Sequence, residues 1–358
     1  MHQESNDSDT APPERKRRWR RFFTILSCVL LIVFVPYLWS RLASNWRQIT
    51  IHQISASSAA AKLQNKVESQ EQNLKLLSYN IAHGRGLAVS NWDGGNAEQR
   101  EQRLDDLAEL LKKLDADIVV LNEVDFQTSW SYGVNQAHYL AEKAGYEYRV
   151  EQRNIDFRFL FWTCRFGNAV LSKYPIRDAK VVDLPSYAEW ENLLAGKKKA
   201  VLCQIETPSK TIGVIGAHLS HRSETLRAQS AEHIVKLLDN AQQPMFLAGD
   251  LNSTPRGFPE SKQGSNNKNA IEVFDASGKL QRHPMDAPQR DEQLTFHADA
   301  PQNIIDWVLI PNGWSYTDYH VELSKLSDHR PVLVEVSPIF AGNSTREQET
   351  SNDPTPEF

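Results

Sequence analysis

The sequence predicts an α+β fold in which two mixed β-sheets pack against each other and helices cover their outer faces. Short runs rich in Val, Ile and Leu alternate with two stretches whose apolar residues recur at helical spacing. The second half of the body holds more such runs per helix than a purely parallel sheet with crossover helices requires. Hydrophobic residues make up 40% of the 358 positions, which is enough for a sizeable core.

The helical stretches can be placed between the strand-like runs. The first lies between LKLLSYNI (74–81) and DIVVLNEV (117–124), and its apolar stripe is Leu104, Leu107, Leu110, Leu111 and Leu114. The second runs from about Ser223 to Leu238, with an inward face of Leu226, Ile234, Val235, Leu237 and Leu238. Further strands are predicted at FGNAVLSKYPI, KAVLCQIET, TIGVIGAHL, PMFLAGDLN and NIIDWVLIP.

The N-terminus predicts a membrane anchor. A basic tail, residues 1–21, precedes a charge-free run of 18 residues, FFTILSCVLLIVFVPYLW, and we predict one transmembrane helix over residues 22–40. Basic residues on its N-terminal side place the tail in the cytoplasm and the body outside. A cleaved signal peptide is the alternative, but Arg41 disrupts a small-x-small cleavage site at Ala43.

The remaining chain divides into three parts. Residues 41–73, rich in Ala, Gln and Lys, are expected to form a stalk, and residues 339–358 a disordered tail. The folded domain is therefore predicted at residues 74–338, with a long loop at 255–300 that is either a lid or an insertion. Of three cysteines, Cys164 and Cys203 either pair or stay as separate buried thiols.

Charge is distributed unevenly along the chain. Residues 1–47 hold eight Lys or Arg against four Asp or Glu, which leaves 32 basic (40−8) and 41 acidic (45−4) residues elsewhere. A balance of −9 (32−41) in the remainder disfavours a long nucleic-acid groove, because phosphate neutralisation needs an excess of basic residues. The run GKKKA (196–200) is the candidate for a local basic rim.

Polar residues follow the apolar runs at several strand ends. They are Asn80, Glu123, His218, Asp250, Asn252, Asp306 and the pair Asp328-His329. Strand ends that meet at one edge of a sandwich form a cleft, and function tends to lie on such loops. Carboxylate and amide oxygens suit Mg²⁺, while histidines with Asp partners suit phosphoester cleavage by water. A zinc site at His218-x-x-His221 lacks a third nitrogen or sulfur ligand at usable spacing.

Seven segments of the body resemble the endonuclease/exonuclease/phosphatase superfamily, which includes deoxyribonucleases, apurinic endonucleases, inositol polyphosphate 5-phosphatases and neutral sphingomyelinases. In chain order they are SYNI, LNEVD, GNAVLSKYP, AHL, GDLNSTP, IDWVL and SDHRPV. The resemblance covers residues 74–338 and implies a four-layer α/β sandwich that hydrolyses phosphoesters with a divalent metal.

The resemblance also implies roles for individual residues. Mg²⁺, or Mn²⁺ as the alternative ion, would be held by Glu123 with Asn80 nearby and Asp328 helping through water. His329 would be the catalytic imidazole oriented by Asp306, and Asp250 would position or deprotonate the attacking water. Phosphate contacts would come from Asn252 and His218, with Asn168 lining the same cleft.

One departure from the superfamily pattern concerns the metal shell. Members of the apurinic type carry an acid two residues after the first Asn, where this chain has Ala82 followed by His83 and, two residues later, Arg85. We therefore expect His83 or Arg85 to face substrate. The expected activity is a membrane-anchored phosphodiesterase acting on a phospholipid-type or small phosphodiester, with an extracytoplasmic nuclease or a non-catalytic binding protein as alternatives.

Overall fold

Two β-sheets form the centre of the computed structural model, which describes residues 13–46, 48–53, 73–159, 161–186 and 197–339. The first sheet contains seven strands, β1 (Ile49–Gln53), β2 (Leu74–Asn80), β3 (Ile118–Asp125), β4 (Tyr148–Phe159), β5 (Trp162–Ser172), β12 (Trp314–Val321) and β13 (Val332–Pro338), in the spatial order β1-β4-β5-β3-β2-β13-β12. The second contains six, β6 (Ile176–Asp183), β7 (Lys199–Glu206), β8 (Thr211–His218), β9 (Met245–Asp250), β10 (Leu280–Gln281) and β11 (Asp306–Pro311), in the order β10-β11-β9-β8-β7-β6.

Helices cover the outer face of each sheet, as the sequence predicted. The helices are α1 (Pro13–Trp46), α2 (Ala97–Leu114), α3 (Gln136–Ala144), α4 (Glu224–Asp239) and α5 (Ala270–Ser277), with 3₁₀ turns at Ala82–Gly84, Ser129–Ser131 and Asp291–Gln293. α2 and α3 pack on the first sheet, and α4 and α5 pack on the second. A third apolar cluster fills the space between the sheets, so the domain has four layers.

Local sequence explains where α2 begins and which face it buries. The side chain of Asn96 accepts a hydrogen bond from the backbone N–H of Gln99, and the Gln99 side chain accepts one from the backbone N–H of Asn96. Three leucines of the predicted stripe, Leu104, Leu107 and Leu111, are at most 2% exposed. Burial of this stripe against the first sheet supplies most of the helix stability.

The N-terminal region differs in part from the prediction. The segment predicted as membrane-spanning, residues 22–40, lies inside the longer helix α1. Within the residues that the structure describes, no helix combines the length and the hydropathy that crossing a bilayer requires. Residues 49–53, predicted as stalk, form β1 and pair antiparallel with β4, because the β-branched run Ile49-Thr50-Ile51 suits an edge strand. Most of the predicted stalk and tail lies outside the described residues.

Each sheet contains one parallel strand pair at its centre. β2 pairs parallel with β3 in the first sheet, and β8 pairs parallel with β9 in the second. Because the carboxyl ends of paired parallel strands meet at the same edge, each pair brings two strand ends to one place.

The sequence left open whether Cys164 and Cys203 form a disulfide. In the structure Cys164 on β5 and Cys203 on β7 are separate buried thiols.

A buried asparagine on β3 joins these two pairs across the sheets. The Asn122 side chain donates from Nδ2 to the carbonyl oxygen of Ala217 at 3.3 Å and to Oδ1 of Asn168 at 2.8 Å. Its Oδ1 accepts from the backbone N–H of Asp250 at 2.8 Å. Asn122 is fully buried, so the groups that it binds cannot form hydrogen bonds with water when the Asn122 side chain is removed. The end of β3 is thereby fixed to the ends of β8 and β9.

We expect Asn122→Ala to lower the free energy of unfolding by about 3 kcal/mol, because it leaves a buried backbone N–H and a buried carbonyl without partners. Urea denaturation followed by circular dichroism measures the change. Asn240→Ala is the matched control, since that side chain is exposed and only donates to the carbonyl of Lys236. A loss at Asn122 no larger than the loss at Asn240 would contradict the assigned role.

Candidate active site

The predicted site residues meet where the two parallel pairs end. In the second sheet His218 lies opposite Asp250 on the neighbouring strand, and Asp250 lies opposite Asp306. In the first sheet Asn80 lies opposite Asn122, one residue before Glu123. The convergence expected from the sequence is therefore observed, and it follows from strand register.

Asp250 lies at the centre of the cluster and is 2% exposed. Its Oδ2 accepts a hydrogen bond from Nδ2 of Asn80 at 3.0 Å and lies 3.4 Å from Nε2 of His218 and 3.7 Å from Nε2 of His329. Its Oδ1 accepts from the backbone N–H of Asn252 at 2.9 Å. One carboxylate thus contacts four of the predicted site residues.

His329 contacts Asp306, the residue that the family resemblance paired with it. Nδ1 of His329 lies 2.9 and 3.1 Å from the two carboxylate oxygens of Asp306, so Nε2 points at Asn80 and Asp250. Burial disfavours the imidazolium, but the charges of Asp306 and Asp250 outweigh burial and raise the pKa of His329 to about 10. This histidine is therefore a cation at neutral pH.

The pKa of Asp250 is raised above the usual value of an aspartate. Burial is the largest cause, and the carboxylates of Asp306 and Glu123 add to it, so the pKa of Asp250 rises to about 7. His329 and the hydrogen bond from Asn80 oppose the rise. A carboxyl group with this pKa can accept a proton near neutral pH, which is the property of a general base.

Glu123 is the site carboxylate that faces the cleft most openly, with 26% of its side chain exposed. Burial raises its pKa, but four neighbouring groups, His83, His218, Lys198 and Arg85, together hold the pKa well below its usual range. Its backbone has φ +52°, in the left-handed region that costs a glutamate about 1 kcal/mol or more. The side chain is thus held ionised, in a strained position, at the cleft mouth.

His83 and Arg85 bind the carboxylates of the cleft. Nδ1 of His83 lies 2.7 Å from Oδ1 of Asp125, and its Nε2 lies 3.5 Å from Glu123. Arg85 donates to Oε2 of Glu123 at 3.2 Å and to Oδ2 of Asp328 at 2.6 Å. The predicted substrate contact of these two residues stays a prediction, because the described contacts are with the chain itself.

The two carboxylates that bind Arg85 are also oxygen ligands of the kind that suits a hard divalent cation. Two carboxylates, Glu123 and Asp328, converge on one positive group, and oxygen ligands of this kind are preferred by Mg²⁺. Among the described residues, the metal-compatible cluster with the closest donor atoms is a different one, Asp250, Asp306 and His329. Asp306 is fully buried and engaged with the imidazole, so the more open oxygen ligands are those on the Glu123 side.

Asn168 lies beneath the cleft. Its side chain is fully buried and is engaged by Asn122, Gln152 and the carbonyl oxygen of Lys199. In this arrangement it supports Asn122, and contact with substrate stays a prediction.

His221 lines an adjoining cavity of about 170 Å³ together with Asn252 and Phe296, whose ring centroid is 4.7 Å from that of His329.

Lys198, one of the lysines of the candidate basic rim GKKKA, contacts the site through a residue that the sequence did not pair with it. Its Nζ lies 3.0 Å from Nε2 of His218. Burial, followed by the charge of Lys198, lowers the pKa of His218 well below its usual value, so this imidazole is neutral. The register could have revealed the contact, because Val201 on β7 lies opposite Gly216, two residues before His218. The run GKKKA therefore brings one lysine into the cleft.

Solved structures of similar fold come from bacteria and from human. An endonuclease/exonuclease/phosphatase from Beutenbergia cavernae is 19% identical, with a TM-score of 0.53 over 75% of this chain and 72% of that one. The human Nocturnin catalytic domain with bound sulfate is 14% identical, with a TM-score of 0.53 over 81% and 97%. The mannosyl-6-phosphatase Bt3783 of Bacteroides thetaiotaomicron is 16% identical, with a TM-score of 0.50 over 74% and 99%.

Sequence comparison assigns the family directly. No curated protein is significantly similar to the chain. The family model for the endonuclease/exonuclease/phosphatase family matches residues 77–329, a span that begins within β2 and ends at His329. The chain belongs to this family of metal-dependent phosphoester hydrolases.

Proposed function

We propose that the protein is an Mg²⁺-dependent phosphodiesterase that acts outside the cytoplasm on a phospholipid-type or small phosphodiester while attached to a membrane. The observation that carries the catalytic part is the contact of Asp250 with His218 and His329, beside the open carboxylate of Glu123. It combines a base, a cationic imidazole and a metal ligand within one cleft.

The chain's own residues divide the work of hydrolysis. Asp250 accepts a proton from water as the water oxygen forms a bond to phosphorus and the bond to the leaving oxygen breaks. His329, kept cationic by Asp306, stabilises the negative charge on the phosphoryl oxygens, and neutral His218 with Lys198 supports the same charge. Mg²⁺ held by Glu123 and Asp328, with Asn80 nearby, would supply Lewis-acid polarisation of the phosphoryl group. Mn²⁺ would satisfy the same oxygen ligands.

The membrane part of the proposal is supported by α1. Its large apolar side chains from Phe22 to Leu38 are mostly more than 40% exposed, and a basic run from Arg15 to Arg21 precedes them. Exposed apolar surface of this extent on one helix is stabilised by lipid. Basic residues on the N-terminal side favour a cytoplasmic N-terminus and so support a catalytic domain on the outer side.

The substrate class is tested with the full chain and a panel of phosphoesters. With Mg²⁺ we expect turnover of headgroup phosphodiesters to exceed that of plasmid DNA, inositol phosphates and sugar phosphates, and chelation to abolish it. Efficient nicking of DNA with inert phosphodiesters would instead establish a nuclease, for which Lys198 beside His218 is the supporting contact. Absence of turnover on every ester would favour a binding protein.

His329→Ala should lower kcat by about 10³-fold without changing the fold, because it removes the cationic imidazole that contacts Asp250. Steady-state kinetics and a thermal melt by circular dichroism give the two readouts. His320→Ala is the matched control, since that histidine is exposed on β12. Unchanged turnover in a folded His329 variant would refute the mechanism.

The pH profile should depend on Asp306. In the native enzyme kcat/KM should rise as Asp250 loses its proton through a pKa of about 7, and fall as His329 loses its proton at about 10. Asp306→Asn removes a charge that raises the pKa of His329, so the alkaline limb should move down by about one unit or more. Asp286→Asn, at an exposed position, is the control. An unmoved alkaline limb in Asp306→Asn would show that His329 does not produce it.

A further inference from the structure

The β4–β5 hairpin carries aromatic side chains that the catalytic chemistry does not use. At its tip Phe161 is 94% exposed and Trp162 is 38% exposed. The Trp162 ring centroid lies 5.6 Å from that of Phe157 on the opposite strand. Burying such side chains is worth roughly 2 kcal/mol each, so their exposure to water is costly unless another apolar phase receives them.

These rings belong to a larger surface, the aromatic ridge, formed by Trp92, Trp130, Phe157, Phe161, Trp162 and Phe166. The Trp92 and Trp130 ring centroids are 6.0 Å apart, and those of Trp130 and Phe166 are also 6.0 Å apart. The turn that holds Trp130 is fixed to the hairpin, because Oγ of Ser129 accepts from the backbone N–H of Thr163 at 2.7 Å. The ridge therefore consists of two groups of rings, one around Trp130 and one around Trp162, that this hydrogen bond holds beside each other.

Large exposed apolar side chains concentrate around this ridge. Outside α1, nine such side chains occur in the described residues, and five of them lie on the ridge or on the loops beside it. Those five are Val89, Trp92, Tyr132, Phe161 and Trp162. The clustering distinguishes the ridge from the isolated apolar residues of an ordinary protein surface.

The two ends of the ridge connect α1 to the catalytic site. At one end the ring of Tyr37 on α1 lies 5.6 Å from that of Phe157. At the other end Phe166 and Trp130 contact the ring of His83 at 5.1 and 5.9 Å. His83 in turn lies 3.5 Å from Glu123. The aromatic ridge thus contacts the apolar helix through Phe157 and, through His83, approaches the carboxylate of Glu123.

We propose that the aromatic ridge is a bilayer-contacting surface whose hairpin tip, Phe161 and Trp162, enters the lipid headgroup layer so that a phosphodiester in the membrane reaches the cleft. Aromatic side chains are favoured at the boundary between acyl chains and water, and exposed Arg158 at the same tip suits an anionic phosphate. This inference rests on the proposed function and names the phase in which the substrate lies.

The hairpin has the length that this arrangement needs. Phe166 lies five positions after Phe161, which corresponds to about 17 Å of extended strand. A headgroup layer is roughly 5–8 Å thick. This reach is sufficient for the tip to enter that layer with the cleft at the level of the headgroup phosphates.

Contact with lipid is tested on the full chain in phosphatidylcholine vesicles. In a Cys28→Ser background, Phe161→Cys carries an environment-sensitive fluorophore, because the other thiols, Cys164 and Cys203, are buried. Doxyl-labelled lipid should quench this fluorophore at least about twofold. The same label at Met285→Cys, an exposed apolar position beyond the opposite edge of the second sheet, should be unaffected. Equal or absent quenching at the two positions overturns the proposal.

The second experiment compares the rates of hydrolysis of a vesicle-embedded and a water-soluble phosphodiester. The double variant Phe161→Ser/Trp162→Ser should hydrolyse a vesicle-embedded phosphodiester about tenfold more slowly and a water-soluble phosphodiester at the native rate. Met285→Ser/Leu323→Ser, which removes two exposed apolar side chains elsewhere, should change neither rate. Equal loss on both substrates, or a loss confined to single-stranded DNA, would overturn a lipid role for the ridge.

The two arms separate this inference from the proposed function. Quenching at position 161 without hydrolysis of any phosphodiester would support the bilayer contact and reject the substrate class. Hydrolysis of a vesicle-embedded phosphodiester without quenching at position 161 would support the substrate class and reject the ridge as its route.

Discussion

The cross-sheet hydrogen bonds of Asn122 are the constraint on which the site depends. Two independent sheets have no reason to end at the same height, and apolar packing between them is not directional enough to set that height. Asn122 provides direction, because its amide binds a carbonyl on β8 and a backbone N–H on β9 in a fully buried position. Asn168 below it holds the amide in the orientation that makes both bonds.

Once the strand ends are fixed, the pKa shifts of the site follow from the short distances between its buried charged groups. Asp250 and Asp306 lie on neighbouring strands in a buried place, and both contact one imidazole. The two carboxylates keep His329 charged, whereas burial, together with the charge of Asp306, raises the pKa of Asp250 against the opposing effect of His329. A carboxyl group with a pKa of about 7 and an imidazolium with a pKa of about 10 are thus produced by the positions of ordinary residue types.

Much of this was predictable from the sequence, and the missing parts have physical reasons. Apolar periodicity predicts the two sheets and the helices α2 and α4. Polar residues at strand ends predict the convergence of Asp250, Asp306 and His329. Sequence could not give the supporting role of Asn168 or the contact of Lys198 with His218, since both depend on strand register. β1 was missed because five residues beside an Ala-rich segment carry little periodic signal.

The position of Arg85 has a consequence for how the domain handles its own charge. Glu123 and Asp328 would repel each other in an unliganded cleft, yet Arg85 bridges them from within the same chain. The protein therefore contains an internal counter-ion for these two carboxylates. Any cation that binds both of them would have to compete with Arg85 for their oxygens.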